Sequence, residues 1–160
     1  MTDLALPIPI SQVALVVSDL EKSMREYTET MGWRPWNIYE YKPPRIHDIL
    51  VHGAPQEFTW IGAEAPLGST YIELLQPLEG PSIFRQFIEQ RGEGLHHVGY
   101  WAKTTDEADA IRGRFQARGT PLLMSAWIDR VFFYYLDSRP MIIEVWTGDL
   151  DTLQATRTYP

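Results

Sequence analysis

Apolar and polar residues fall into short runs along the chain, and one order of runs occurs twice. Residues 11–17, Ser-Gln-Val-Ala-Leu-Val-Val, lie between Pro9 and Ser18-Asp19 and read as a largely buried strand. Ser18 with Glu21 makes an S-x-x-E capping box, which opens a helix. Leu20, Met24, Tyr27 and Met31 follow at helical spacing on one face, and Gly32 closes the helix as a left-handed residue. Later, His97 to Trp101 is a second strand and Thr104 with Glu107 a second box. Ala108, Ile111 and Phe115 then face the core, and Gly119 stops the helix. Gln12 to Gly32 spans 20 positions and His97 to Gly119 spans 22. The two units therefore match closely.

Each unit ends on a strand with a glutamate among apolar neighbours: Glu73 in Tyr-Ile-Glu-Leu-Leu, and Glu144 in Ile-Ile-Glu-Val-Trp. The separation from Gln12 to Glu73 is 61 positions, against 47 from His97 to Glu144. The surplus of 14 falls mostly between Trp33 and Trp60. That stretch, rich in aromatics and prolines from Trp33 to Pro44, predicts a loop or irregular strand. Ile83, Phe84, Phe87 and Ile88 recur at helical spacing before Gly92 and predict a helix joining the units. Val131–Leu136 and Met141–Trp146 flank Asp137-Ser138-Arg139-Pro140 as a hairpin. The expected architecture is α+β: two tandem βαβββ modules forming a curved mixed sheet, a cup backed by helices. The boundaries are module one at 9–79, a linker helix at 80–92, module two at 93–150 and a C-terminal tail at 151–160, all in a single domain.

Strand alternation assigns each polar residue to a face. Gln12 shares its face with Ala14 and Val16, Glu73 with Tyr71 and Leu75, His97 with Gly99 and Trp101, and Glu144 with Ile142 and Trp146. The opposite face carries Val13, Leu15, Val17, Ile72, Leu74, Val98, Ile143 and Val145, which suit packing beneath helices. An isolated carboxylate or imidazole is costly to bury in such company without a partner. Three such groups and the Gln12 amide, on four strands at corresponding places in a repeat, can converge on one divalent metal ion. Gly99 leaves room for a substrate to approach. His96 points opposite to His97 under this rule and reads as structural, and His52 carries no signal.

Composition narrows the chemistry. The chain has 160 residues with 44% hydrophobic and 22% charged, ordinary for a folded protein. A net charge of −7 without a basic stripe argues against nucleic acid and anionic membrane as partners. No apolar run approaches the roughly 20 residues that span a bilayer, so the expectation is a cytoplasmic protein. With no cysteine, metal ligands must be oxygen and imidazole. That donor set suits zinc, nickel, cobalt, manganese, magnesium or iron. There are 12 Pro, 6 Trp and 8 Tyr, which suggest defined turns and large flat surfaces.

These motifs resemble the vicinal oxygen chelate superfamily, which includes glyoxalase I, methylmalonyl-CoA epimerase, extradiol dioxygenases and antibiotic-resistance binding proteins. The matching stretches are 13–22 (Val-Ala-Leu-Val-Val-Ser-Asp-Leu-Glu-Lys), 72–78 (Ile-Glu-Leu-Leu-Gln-Pro-Leu), 92–98 (Gly-Glu-Gly-Leu-His-His-Val) and 142–145 (Ile-Ile-Glu-Val). The resemblance implies one divalent metal held by Gln12, Glu73, His97 and Glu144. The first of these is often His in epimerases, so Gln12 is a departure, and the Gln-Glu-His-Glu set is similar to animal glyoxalase I. Lacking a second His, the set weighs against an iron-dependent ring-cleaving dioxygenase.

The implied activity is a lyase or isomerase that removes a proton beside a carbonyl, epimerase-like or glyoxalase-like, acting on a small carbonyl compound or acyl thioester. Glu144 is the expected base, with Glu73 serving the opposite substrate face. Trp36, Tyr71, Trp101 and Trp146 are expected to contact substrate, with Trp33, Tyr39 and Tyr41 extending the aromatic wall. His47 and Asp48 sit broadly where the epimerases keep an additional base; on their own they read as a solvated loop pair. A non-catalytic sequestering protein is the alternative, and a homodimer is the expected assembly.

Overall fold

The computed structural model describes residues 7–160, and its strands pair into one 11-stranded sheet. The elements are β1 (Gln12–Val16), α1 (Leu20–Met31), β2 (Trp36–Tyr41), β3 (Ile46–Val51), β4 (Ala54–Pro55), β5 (Trp60–Leu67) and β6 (Thr70–Pro77). Helix α2 (Ile83–Arg91) leads to β7 (Gly94–Trp101), α3 (Thr105–Gln116), β8 (Leu122–Ile128), β9 (Val131–Ser138) and β10 (Met141–Gly148). A 3₁₀ turn at Leu150–Thr152 and β11 (Arg157–Tyr159) complete the chain. Among the described residues no helix is long and apolar enough to cross a membrane.

The sheet order is β11-β2-β5-β6-β1-β7-β10-β9-β8-β3-β4. At its centre β1 runs antiparallel to β7, while β1 pairs parallel with β6, and β7 with β10. The repeat seen in the sequence thus becomes two half-sheets, β2-β5-β6-β1 and β7-β10-β9-β8. The strands that carry Glu73, Gln12, His97 and Glu144 are the four central neighbours. Two segments cross between halves. The 14-residue surplus of the first unit holds β3 and β4, and β3 pairs with β8 at the far edge of the second half. The C-terminal tail returns as β11 to pair with β2. Residues 36–41, expected as loop or irregular strand, are regular strand because their alternate side chains are buried on both sides of β2.

Helices cover one sheet face in each half. Leu20 and Met24 of α1 pack on Val17, Ile38, Ile72 and Leu74, and Ala108 and Ile111 of α3 pack on Tyr134, Leu136 and Val145. Each such buried aliphatic side chain contributes about 1.5–3 kcal/mol. Helix α2 lies on the other, concave face. Its Phe84 touches the rings of Trp60, Phe58, His96 and Tyr135, so it fills one end of the hollow.

Capping is as expected for α3, where Thr104 accepts from Glu107 N. For α1 the cap is Asp19 rather than Ser18: the Asp19 carboxylate accepts from Lys22 N at 3.0 Å. Ser18 instead donates its backbone N–H to Glu93. Asp and Ser cap comparably well; the helix begins at Leu20, which puts Asp19 at the N-cap position. Gly32 ends α1 at φ 69°, a left-handed conformation glycine adopts without strain.

Candidate active site

Register places the four residues in two rows across the sheet. One row reads Gln12, Gly99, Glu144, and the next reads Glu73, Ala14, His97. A small residue stands between the large polar ones in each row, which lets them lean together. A methyl group at Gly99 would lie 2.8 Å from Gln12 Oε1 and 3.1 Å from Glu144 Oε2. His97 Nε2 stands 3.3 Å from Glu144 Oε2 and 3.6 Å from Glu73 Oε2. All four are buried, with 4, 6, 1 and 9% exposure for Gln12, Glu73, His97 and Glu144.

The atoms that face one another are acceptors. Gln12 donates Nε2–H to Glu64 Oε1 at 2.8 Å, which leaves Oε1 buried without a donor. His97 Nε2 is likewise buried with no hydrogen-bond partner, despite the two carboxylates beside it. A lone pair on Nε2 accounts for this, with the ring proton on Nδ1, where it can reach His96 Nδ1 at 2.9 Å. Burial first, then the charges of Glu144 and Glu64, pushes the Glu73 carboxyl well above its ordinary range.

No three His, Asp or Glu side chains among the described residues stand as a ready-made ion cage. The donors themselves nonetheless fit the divalent ion that the resemblance implies. They are imidazole, amide oxygen and two carboxylates, and two of the orphaned acceptors have nothing else to bind. Metal–ligand bonds of about 2.0–2.2 Å bring neighbouring ligand atoms to about 3.0–3.4 Å, close to the spacings around His97.

Glu64 belongs to the site and escaped the sequence reading. It sits in β5 directly opposite Glu73, as Tyr135 of β9 sits opposite Glu144, so the two are counterparts in the repeat. Its signal was present: Ile61-Gly62-Ala63-Glu64-Ala65 is a glutamate in an apolar run, like the two that were recognised. Burial first, then Glu144, raises the Glu64 carboxyl to about 7, against the opposing effect of the Gln12 amide. Tyr135 and Tyr41 are pushed well above the ordinary phenol value, by burial first and then by the charges of Glu144 and Glu73 respectively. Both are neutral hydroxyls at any working pH.

A cavity of about 280 Å³ opens over Gln12, Glu64, Glu73, Tyr135 and Glu144, and His97 is not among its walls. Tyr71 and Trp146 line it, as do Tyr39 and Tyr41. Trp36 does not: it is fully buried on the helix side, donating Nε1–H to Thr28 Oγ1 at 2.9 Å. Trp33 lies with it, stacked on Tyr27. Trp101 stands behind Trp146, with ring centroids 4.7 Å apart, and is not a wall. His47 is half-exposed, bonded to Asp48 at 2.9 Å, and also lies outside the cavity walls.

Comparison with known proteins agrees with this architecture. Residues 11–134 match the family model of the Glyoxalase/Bleomycin resistance protein/Dioxygenase superfamily. The chain belongs to that superfamily. Among solved structures it is similar to hypothetical protein BH1468 from Bacillus halodurans C-125, with TM-score 0.62, 18% identity and coverage of 88% of this chain and 94% of that one. It is similar also to methylmalonyl-CoA epimerase from Mycobacterium tuberculosis, with TM-score 0.61, 18% identity and coverage of 92% and 94%. A variant Streptomyces coelicolor methylmalonyl-CoA epimerase in complex with 2-nitronate-propionyl-CoA gives TM-score 0.59, 19% identity and coverage of 88% and 97%. At these identities the likeness is one of fold. No curated protein sequence matches.

Proposed function

We propose that the chain is a metal-dependent lyase or isomerase that moves a proton at a carbon beside a carbonyl, by epimerase-like or glyoxalase-like chemistry. The observation that carries this is the buried set of facing acceptors: Gln12 Oε1, His97 Nε2 and the carboxylates of Glu73 and Glu144. Those four residues would hold one divalent ion, and Glu64 keeps the Gln12 oxygen turned toward the set. A bound ion supplies Lewis acidity, which stabilises negative charge developing on a substrate oxygen.

The protein's own groups supply the rest. Glu144 lines the cavity and takes the proton from carbon; Glu73, on the other side of His97, returns one to the opposite face. Each of these two carboxylates would have to loosen from the ion before it could accept a proton. Tyr135, opposite Glu144 and protonated, donates to the substrate oxygen.

The test is deuterium incorporation from heavy water at the carbon beside the carbonyl, over a panel of ketones, aldehydes and acyl thioesters. Exchange should vanish with chelator, return with added divalent metal and fall sharply in Glu144→Gln. A panel with no metal-dependent exchange overturns the proposal. The cavity's aromatic walls favour a second reading, a sequestering protein. Elemental analysis separates the two, because a sequestering protein retains no stoichiometric metal after supplementation.

A further inference from the structure

The strands of the repeat do not enclose the cavity by themselves. Leu150 and Leu153 also line it, and both belong to the segment that follows β10. That segment is fastened along its length. At its start the Asp149 carboxylate pairs with Arg130 at 3.2 Å, and Arg130 N donates to Thr152 Oγ1 at 3.3 Å. Midway, Arg45 donates Nη2–H to the Gln154 carbonyl at 2.6 Å and Nε–H to Asp129 at 2.8 Å. At its end Thr156 N donates to the Ile38 carbonyl at 2.7 Å, and β11 pairs with β2. Residues 149–156 thus bridge the two half-sheets as a strap that sets two leucines on the cavity.

The walls are sorted by polarity along the strands. On β9, Tyr135, Phe133 and Val131 are successive residues of one face, and all three line the cavity. Tyr135 stands at the polar corner, opposite Glu144. Val131 lies four residues away, about 13 Å along the strand. It pairs with Gly148 and Ile128, at the point where the strap begins. Phe133, Val131, Ile128, Leu150 and Leu153 bring no polar side-chain atom to that end. Water against such a surface has no side-chain partner, so an apolar group that displaces it gains affinity. Leu150 leaves 38% of its surface exposed, area that such a group can cover.

We infer that the substrate carries an apolar group on the side of its reacting carbon away from the polar corner, and that Leu150 and Leu153 of the strap, with Phe133 and Val131, hold that group. This rests on the reading of the cavity as the place where a carbonyl compound reacts.

The probes are 2-butanone, 2-hexanone and 2-octanone, in which only the apolar tail changes. Isothermal titration on zinc-supplemented protein should show affinity rising about threefold for each methylene buried. Leu150→Ser/Leu153→Ser should lose at least about half of the methylene-dependent gain in binding free energy. Should that pair not fold, Leu150→Ser alone, at a half-exposed residue, is read in its place. An affinity indifferent to tail length overturns the inference. So does a gain that survives intact in the serine variant, because the tail then lies elsewhere. Deuterium exchange beside the ketone is followed in parallel. Tail-dependent affinity without exchange on any ketone removes the proton-transfer reading and keeps the apolar subsite. Exchange with affinity independent of the tail keeps the reaction class and removes the subsite.

Discussion

The Nδ1 atoms of His96 and His97 lie 2.9 Å apart with their ring planes at 86°, although the two residues are neighbours on a strand. Simple alternation would send them to opposite faces. The pairing of β7 with β1 shifts here: Ala14 pairs with His97 and Leu15 with Leu95, so His96 is the extra residue of a bulge. Burial first, and then His97 and Arg91, hold His96 well below the ordinary imidazole value, so it is a neutral partner. With His97 Nδ1 donating to it, His97 presents a bare Nε2 to the carboxylates.

His96→Phe keeps a ring against Phe84 and Phe87 but removes the acceptor. Divalent metal affinity should drop about 10–100-fold, the usual cost of losing such a support to a ligating histidine. His96→Gln, whose side-chain oxygen can accept, should recover part of it. Metal competition titration measures the affinity, and nitrogen-15 shifts of the His97 ring report its tautomer. Unchanged affinity in His96→Phe would show that the contact is only packing.

Gly99→Ala tests whether the site depends on the gap between Gln12 and Glu144. The added methyl meets Gln12 Oε1 at 2.8 Å and Glu144 Oε2 at 3.1 Å, both at the far ends of side chains that can move. The fold should tolerate it, with little change in Tm. Displaced by about an ångström, the two groups should lose about 10²-fold in exchange rate. A variant with full exchange activity would mean that these side chains need not meet.

Much of this was legible from spacing because a repeat imposes the same grammar twice, and strand alternation maps residues to faces. The βαβββ units, α2 and the cup face carrying Gln12, Glu73, His97 and Glu144 all follow from it. The misreadings have local physical causes. A bulge has no signature in His-His. Ser18 and Asp19 are both competent caps, and the choice of Asp19 turns on a one-residue shift of the helix start that residue type does not mark. Trp36 alternates to the helix side of β2, while Tyr39 and Tyr41 turn inward, and no composition rule separates them. The exchange of β3 and β11 between halves depends on edge pairing across the whole sheet, which periodicity cannot see.

Trp36 and Trp146 should respond oppositely to truncation. Trp36 is fully buried against α1 and bonded to Thr28, so Trp36→Ala should cost about 3–5 kcal/mol in urea denaturation. The milder Trp36→Phe should leave ligand affinity at the cavity unchanged. Trp146→Ala opens a cavity wall and should weaken binding of the panel compound that shows exchange by about tenfold or more. If Trp36→Phe weakens binding and Trp146→Ala does not, the assignment of faces is wrong.

Stability at acid pH should depend on a contact remote from the cavity. The Tyr100 hydroxyl donates to Glu107 Oε1 at 2.5 Å, and Lys103 N donates to Glu107 Oε2 at 2.8 Å, at the start of α3. The Tyr100 hydrogen bond first, then the Lys103 N–H, lower the Glu107 carboxyl below its usual 4.5. A carboxyl lowered on folding stabilises the protein above its unfolded value and loses that contribution as pH falls through the folded one. Tyr100→Phe should therefore cost at most about 1 kcal/mol near neutrality, where the contact is solvent-screened. Denaturant melts from neutral to acid should show the difference between variant and wild type shrinking below the unfolded value. A difference that stays constant down through the acid range would assign the loss to packing of the ring rather than to the charged hydrogen bond.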